Sequence, residues 1–245
     1  PPPHTSSAAS DVYKRQIPWQ ALAQVHSDAY LESLTDRAVL SRIFAVGEND
    51  LPVDQVLHTL RLGCHATLAA AREAVASEGP ALNLLGGFHH AGKSRGGGFC
   101  AVNDIAVAVA TLRAEGVTGM IGVLDLDVHP PDGTADCLAD APDVWLGSIS
   151  GADWGPLPEG VDETVLPEGT TDGPYLEALS GLLDRMPACV LTFVIAGGDP
   201  WEHDELGPLS VTEDGLRRRD LAVAKAVRGR ASVWLPGGGY LSLIH

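Results

Sequence analysis

The 245-residue chain is short of several things at once. It holds 4 cysteines, 2 methionines and 5% aromatic residues. Cys64, Cys100, Cys137 and Cys189 are scattered, with no Cys-x-x-Cys spacing. That argues against a disulfide framework and against a thiolate zinc site, and it points to a reducing, cytoplasmic location. Positive charge is also scarce, since 16 Lys and Arg face 32 Asp and Glu for a formal charge of -16. A protein that grips nucleic-acid phosphates needs the reverse balance, so no direct nucleic-acid binding is expected. No apolar run reaches the length of a membrane-spanning helix, so no membrane partner is expected. No secretory leader pattern is read in the first residues. Gly (28) and Pro (17) are plentiful but fall between apolar runs without a period, which excludes collagen-like and low-complexity chains.

Both ends differ in character from the rest. The codons of Ser6 to Gln16 and of Leu241 to His245 can be chosen so that the second DNA string is the reverse complement of the end of the first. Both strings resemble a transposon adaptor used in sequencing libraries. Residues 1–16 and 241–245 are therefore expected to be adaptor-derived, with the domain in residues 17–240 and native chain continuing beyond both ends.

Within 17–240, helical and strand-like segments alternate. Helical spacing is read from Ile17 to about Ser41, with Ser27 and Asp28 as caps of a second short helix, and from Val53 to about Ser77. Apolar runs at 81–85, 120–129, 143–149, 188–198 and 231–239 are read as strands. Residues 101–116, 174–186 and 212–228 are read as helices, and Ser150 to Gly173 as a long loop. The strands are continuous apolar runs, as in a parallel sheet buried on both faces. One doubly wound α/β domain follows, with its ligand at the carboxyl ends of the strands.

The polar clusters lie at those ends. In LDLDVHPPDG, strand alternation puts Asp125, Asp127 and His129 on one face. Solvated acids at a strand edge are the plain alternative, but three polar groups on one face of an apolar strand are costly without a partner. A divalent cation supplies one. Asp199 follows another apolar run, where Gly-Asp-Pro is also ordinary turn chemistry. With Asp127 and His129 it makes an Asp2His set that leaves positions open, as catalytic zinc requires. His89 and His90 follow the 81–85 run, and imidazoles suit acid–base work near neutral pH. Asp125 and Asp132 are available to fix their tautomers. Tyr240, on a glycine turn, is placed to donate to an oxyanion, or is a plain aromatic.

These segments together resemble the histone deacetylase family of zinc-dependent amidohydrolases. The matching stretches are VHSDAYLESL, GGFHHAGKSRGGGFCAVNDIAVA, VLDLDVHPPDGTA, LPEGTTDGPYLEAL, AGGDPWEHDELG and PGGGY, in order over nearly all of 17–240. The form of GGFHH and RGGGFCAVND looks closest to bacterial and class IV-like members. The resemblance implies the arginase/deacetylase fold, a three-layer α/β/α sandwich on a mostly parallel sheet, C-terminally truncated here. It implies one zinc ion per chain on Asp127, His129 and Asp199. It implies that His90 transfers protons with Asp132 as carboxylate partner, that His89 is backed by Asp125, and that Tyr240 stabilises the oxyanion. Gly98 and Phe99 match residues lining an acyl-lysine tunnel. Asp125 and Ser148 fall where the family holds a structural monovalent cation, K+.

Some positions depart from the family pattern. Pro130-Pro131 follow His129, where His or Gln and then Gly are usual, so two backbone N–H groups are lost before Asp132. Ser150 stands where a histidine usually follows the strand. The tunnel-rim acid has no clear match; Glu48, Asp50 and Asp54 are candidates. The expected activity is removal of acetyl or other short acyl groups from lysine-like amines, on an acetylated protein or on an acetylated small amine such as a polyamine. The rivals are an arginase-like ureohydrolase with two manganese ions and a non-catalytic binder of acyl ligands.

Overall fold

The computed structural model describes residues 16–240. The adaptor reading of residues 1–16 and 241–245 lies, apart from Gln16, outside the described residues.

Short helices α1 (Trp19–Leu22), α2 (Asp28–Ser33) and α3 (Arg37–Phe44) occupy the region read as helical, with α2 starting at Asp28 where a second short helix was expected. Ser27 precedes α2 but makes no side-chain cap, whereas Asp36 caps α3 by accepting from Ala38 N–H. The Ala- and Leu-rich segment forms one 25-residue helix, α4 (Val53–Ser77), as its composition predicts. Then follow β1 (Pro80–Leu82), α5 (Asp104–Ala114), β2 (Ile121–Asp125), α6 (Asp132–Leu138), β3 (Val144–Ser150) and β4 (Val161–Val165). The described residues end with α7 (Asp172–Arg185), β5 (Leu191–Ile195), α8 (Glu213–Ala226) and β6 (Ser232–Leu235).

The six strands form one all-parallel sheet in the order β1-β6-β5-β2-β3-β4. Alternate residues of the central strands feed two cores. Ile121, Val123, Leu191 and Phe193 share one core with residues of α3, α4 and α5, while Leu124 and Val194 share the other with residues of α7 and α8. Burial on both faces makes the molecule a three-layer α/β/α sandwich, and it explains why β2 and β5 read as continuous apolar runs.

Three strand expectations need correction. The 81–85 run is not a buried strand: β1 stops at Leu82 and forms the sheet edge, leaving Leu82 and Leu84 64% and 77% exposed. The 150–173 stretch is not all loop, because it contains β4. VDETV escapes a hydrophobicity reading because an edge strand needs little apolar cover. Finally, β2 ends at Asp125, so Asp127 and His129 lie beyond the ladder. Asp127, Val128 and His129 form a bend in which Asp127 Oδ1 accepts from His129 N–H at 3.0 Å, so strand alternation does not bring the two side chains together. Leu126 N–H donates to Ile195 C=O at 2.9 Å, Val128 C=O accepts from Gly151 N–H at 2.8 Å, and both side chains stay buried.

Candidate metal centre and active site

Chain order places the site. The chain crosses from β4 back to β5, so β2 and β5 are neighbours with Asp125 level with Ile195. The loops leaving both strands diverge from the same point, which is where parallel sheets open a crevice.

His129 Nδ1 lies 3.1 Å from Asp127 Oδ1 and 3.1 Å from Asp199 Oδ2. The three candidate donor atoms fall within 4.8 Å of one another. Both carboxylates are fully buried, and both are held by backbone. Gly238 N–H donates to Asp127 at 2.6 Å and Val128 N–H to Asp199 at 3.1 Å. A side chain at position 238 would lie 2.5 Å from Asp199 Oδ2 and 2.6 Å from Asp127 Oδ2, so this approach is open to glycine alone. Burial raises the Asp199 pKa to about 7, and the Asp127 charge adds to it. Burial opposes charge on His129, yet bonds to Asp127 and Asp199 lift its pKa to about 9. Two buried anions around one nitrogen is a strong demand for positive charge, and the donor set fits a divalent cation.

Two imidazole–carboxylate pairs stand beside this cluster. His89 Nδ1 meets Asp125 Oδ2 at 2.8 Å, and His90 Nδ1 meets Asp132 Oδ1 at 2.7 Å. Each carboxylate therefore orients its ring through Nδ1; this leaves Nε2 of His90 as its second nitrogen, while Nε2 of His89 faces Asp127 Oδ1 at 3.7 Å. The two rings differ in charge preference. Burial opposes protonation of His89, but Asp125 and Asp127 raise its pKa to about 10. Burial and the neighbouring His89 lower that of His90 despite Asp132. Helix α6 seats both residues. Thr134 N–H donates to His89 C=O at 2.8 Å, and a methyl at Gly133 would strike the His90 carbonyl carbon at 2.3 Å.

Gly98 and Phe99 border the site. Phe99 is 42% exposed with φ 63, and its ring meets that of Tyr240 at 5.7 Å. Tyr240 in turn stands edge-on to His129 at 6.0 Å, its N–H bonded to Asp204 Oδ2 at 2.6 Å. Burial and the nearby Asp127 and Asp199 push its phenol pKa up. Ser148 Oγ is buried without a partner, level with Asp125 in the sheet. Ser150 instead donates to Glu163 at 2.9 Å. Among the rim candidates, Asp50 lines a cavity of about 500 Å³ that reaches Phe99. Glu48 and Asp54 do not line it.

Several residues here carry no strong sequence signal. Trp154 stacks on His90 at 5.1 Å and 29°, and lies 5.6 Å from His129. Asp104, fully buried, accepts from Thr67, Gly87 N–H and Phe88 N–H just before the histidine pair. His26 Nδ1 meets Gly92 C=O at 2.9 Å, and its Nε2 accepts from Asn103 N–H at 3.0 Å. Asn-Asp before an apolar helix is a start signal, so Asn103 and Asp104 were open to prediction as caps. The loop packing that brings in Trp154 and His26 was not.

A family model described as the histone deacetylase domain matches residues 4–243. The chain belongs to the histone deacetylase family. It is 33% identical to an uncharacterized protein of Picosynechococcus sp. over 96% of this chain and 80% of that one. It is 33% identical to histone deacetylase 2 of Arabidopsis thaliana over 90% of this chain and 60% of the relative. It is 28% identical to the acetoin utilization protein AcuC of Bacillus subtilis, over 90% of this chain and 64% of the relative. A crystal structure of an HDAC homolog complexed with SAHA superposes with a TM-score of 0.76 at 25% identity, covering 92% of this chain and 66% of that one. An HDAC homolog from Aquifex aeolicus gives the same TM-score at 24% identity, covering 92% and 67%. The fold is thus that of the histone deacetylases, in the arginase/deacetylase superfamily.

Proposed function

We propose that the chain hydrolyses acetyl or other short acyl amides of lysine-like amines with one zinc ion held by Asp127, His129 and Asp199. The observation that carries this reading is the approach of His129 Nδ1 to both buried carboxylates, with two imidazole–carboxylate pairs alongside. Among the described residues one group of three such donors comes together, which supports a one-metal deacetylase over a two-manganese ureohydrolase.

Zinc in this position supplies Lewis-acid polarisation of the amide carbonyl. The protein does the rest. His90, kept neutral by burial and by His89, takes a proton from the attacking water on Nε2. Water oxygen bonds to the carbonyl carbon, and the C–N bond breaks as the same proton passes to the leaving amine. Asp132 holds the Nδ1–H of His90 throughout. Tyr240, whose raised pKa keeps its hydroxyl protonated, donates to the developing oxyanion. His89, held by Asp125, keeps a cationic ring beside Asp127. Gly98, Phe99 and Trp154 form the walls through which the acylated amine enters. Buried Ser148 Oγ and Asp125 fit a structural K+ ion, which would give that hydroxyl its partner.

The substrate is an acetylated lysine in a protein or an acetylated small amine. Purified protein, stripped with chelator and reloaded with zinc, should release acetate from an Nε-acetyl-lysine peptide or from acetylpolyamines. Zinc-loaded protein that binds a hydroxamate yet releases acetate from neither would favour the binder reading instead.

A further inference from the structure

Asp132 begins α6 directly after Pro130 and Pro131. Neither proline offers an N–H, so the turn that aims this carboxylate gives it no backbone donor. Its hydrogen bonds come from two side chains. Oδ1 accepts from His90 Nδ1 at 2.7 Å and Oδ2 accepts from Arg95 Nη1 at 2.8 Å. Each oxygen therefore has one job, and the plane of the carboxylate is set by a donor at either end.

Arg95 is itself held. Gly92 N–H donates to Arg95 C=O at 2.9 Å, closing a tight turn over Gly92–Arg95. That turn is tied on one side to the region before α2, where Ser27 N–H donates to Lys93 C=O at 2.9 Å and Ser94 Oγ to Ser27 Oγ at 2.9 Å. His26 grips Gly92 C=O from the same side. On the other side Lys93 N–H donates to Asp136 at 2.7 Å. Asp132 and Asp136 sit four residues apart on one face of α6, so backbone and guanidinium of the same turn dock on the same helix face.

We propose that Arg95 is a positioning residue for the His90–Asp132 pair. It fixes the Asp132 carboxylate where the double proline leaves it unsupported, and so keeps His90 in the tautomer with Nε2 free. This rests on the assignment of His90 as the proton-transfer residue. A half-exposed ion pair adds little to stability, so the contribution of Arg95 lies in geometry. The chemistry that answers to it is proton transfer, not capture of the acylated amine.

The test compares wild type, Arg95→Met, Arg95→Lys, Asp132→Asn and the double variant Arg95→Met/Asp132→Asn, all zinc-loaded, on an Nε-acetyl-lysine peptide. Arg95→Met should lower kcat on the order of 10-fold, the scale of a lost outer hydrogen bond, with KM within about 2-fold and zinc content unchanged. Arg95→Lys should recover part of kcat, and Arg95→Met should cost nothing further in the Asp132→Asn background. Histidine-¹⁵N NMR gives a readout apart from turnover: the His90 Nδ1–H resonance should weaken and move upfield in Arg95→Met. Unchanged kcat and an unchanged His90 resonance in Arg95→Met overturn the proposal, as does an equal loss in both backgrounds. If wild type cleaves no acetyl amide, the functional reading fails and the resonance alone decides the brace.

Discussion

A methyl group on Gly98 would lie 2.2 Å from Cδ2 of His90. The contact is with the ring proposed to transfer the proton, and the Gly98 backbone has φ 51, which a Cβ disfavours. Gly98→Ala should therefore push the His90 ring aside. Displacements on the order of 1 Å at a reacting group cost about 100-fold in rate, and the same loss is expected in kcat. Stability should also fall, by about 1–3 kcal/mol from backbone strain. Steady-state kinetics beside a denaturant melt separates the two effects.

Asp104 holds the entry to the histidine pair through the Gly87 and Phe88 N–H groups and Thr67. An amide at this position keeps one acceptor but turns an NH2 toward a donor. Asp104→Asn should cost about 2–3 kcal/mol of stability, since a buried donor is left unmade. Urea unfolding reads that loss, and a cost below about 0.5 kcal/mol contradicts the role.

His26 predicts an acid-side loss of stability. Burial lowers its pKa below the ordinary 6.5, against the raising influence of the Gly92 carbonyl and Asp136. With Nδ1–H donating to Gly92 and Nε2 accepting from Asn103, only the neutral ring serves both bonds. The unfolded chain binds a proton near its ordinary pKa and the folded one only below it. The contribution is thus complete above 6.5 and fades as pH falls below it. The stability gap between wild type and His26→Gln should shrink between about pH 7.5 and about pH 5. A gap constant across that range rules out the neutral-ring arrangement.

Removing a ligand should empty the metal centre without unfolding the domain. Asp199→Ala takes away one of three donors and should weaken zinc by more than about 100-fold, beyond the loss from an outer partner. Zinc per chain after gel filtration, beside a circular dichroism melt, checks this.

Much of the site was open to reading because it consists of polar residues interrupting apolar strands. Asp125, Asp127, His129 and Asp199 stand out against MIGVL and LTFVI in the buried strands β2 and β5. The 25 residues of α4 were legible because no Gly or Pro pair interrupts their helical period. The edges of the sheet were not. ALNLL looked buried because composition says nothing of position in the sheet, and VDETV looked like loop because an edge strand keeps its acids. Trp154 reaches His90, and Arg95 reaches Asp132, only through loops that fold back, contacts that no local period encodes.

The central claim is that His90 moves the proton while Asp127, His129 and Asp199 hold the metal. His90→Ala, loaded with zinc, tests it most directly. Positioned acid–base groups contribute about 100- to 10,000-fold, so acetate release from an Nε-acetyl-lysine peptide should fall by that factor while zinc per chain stays at the wild-type value. Wild-type turnover in His90→Ala, or loss of zinc along with activity, would contradict the account.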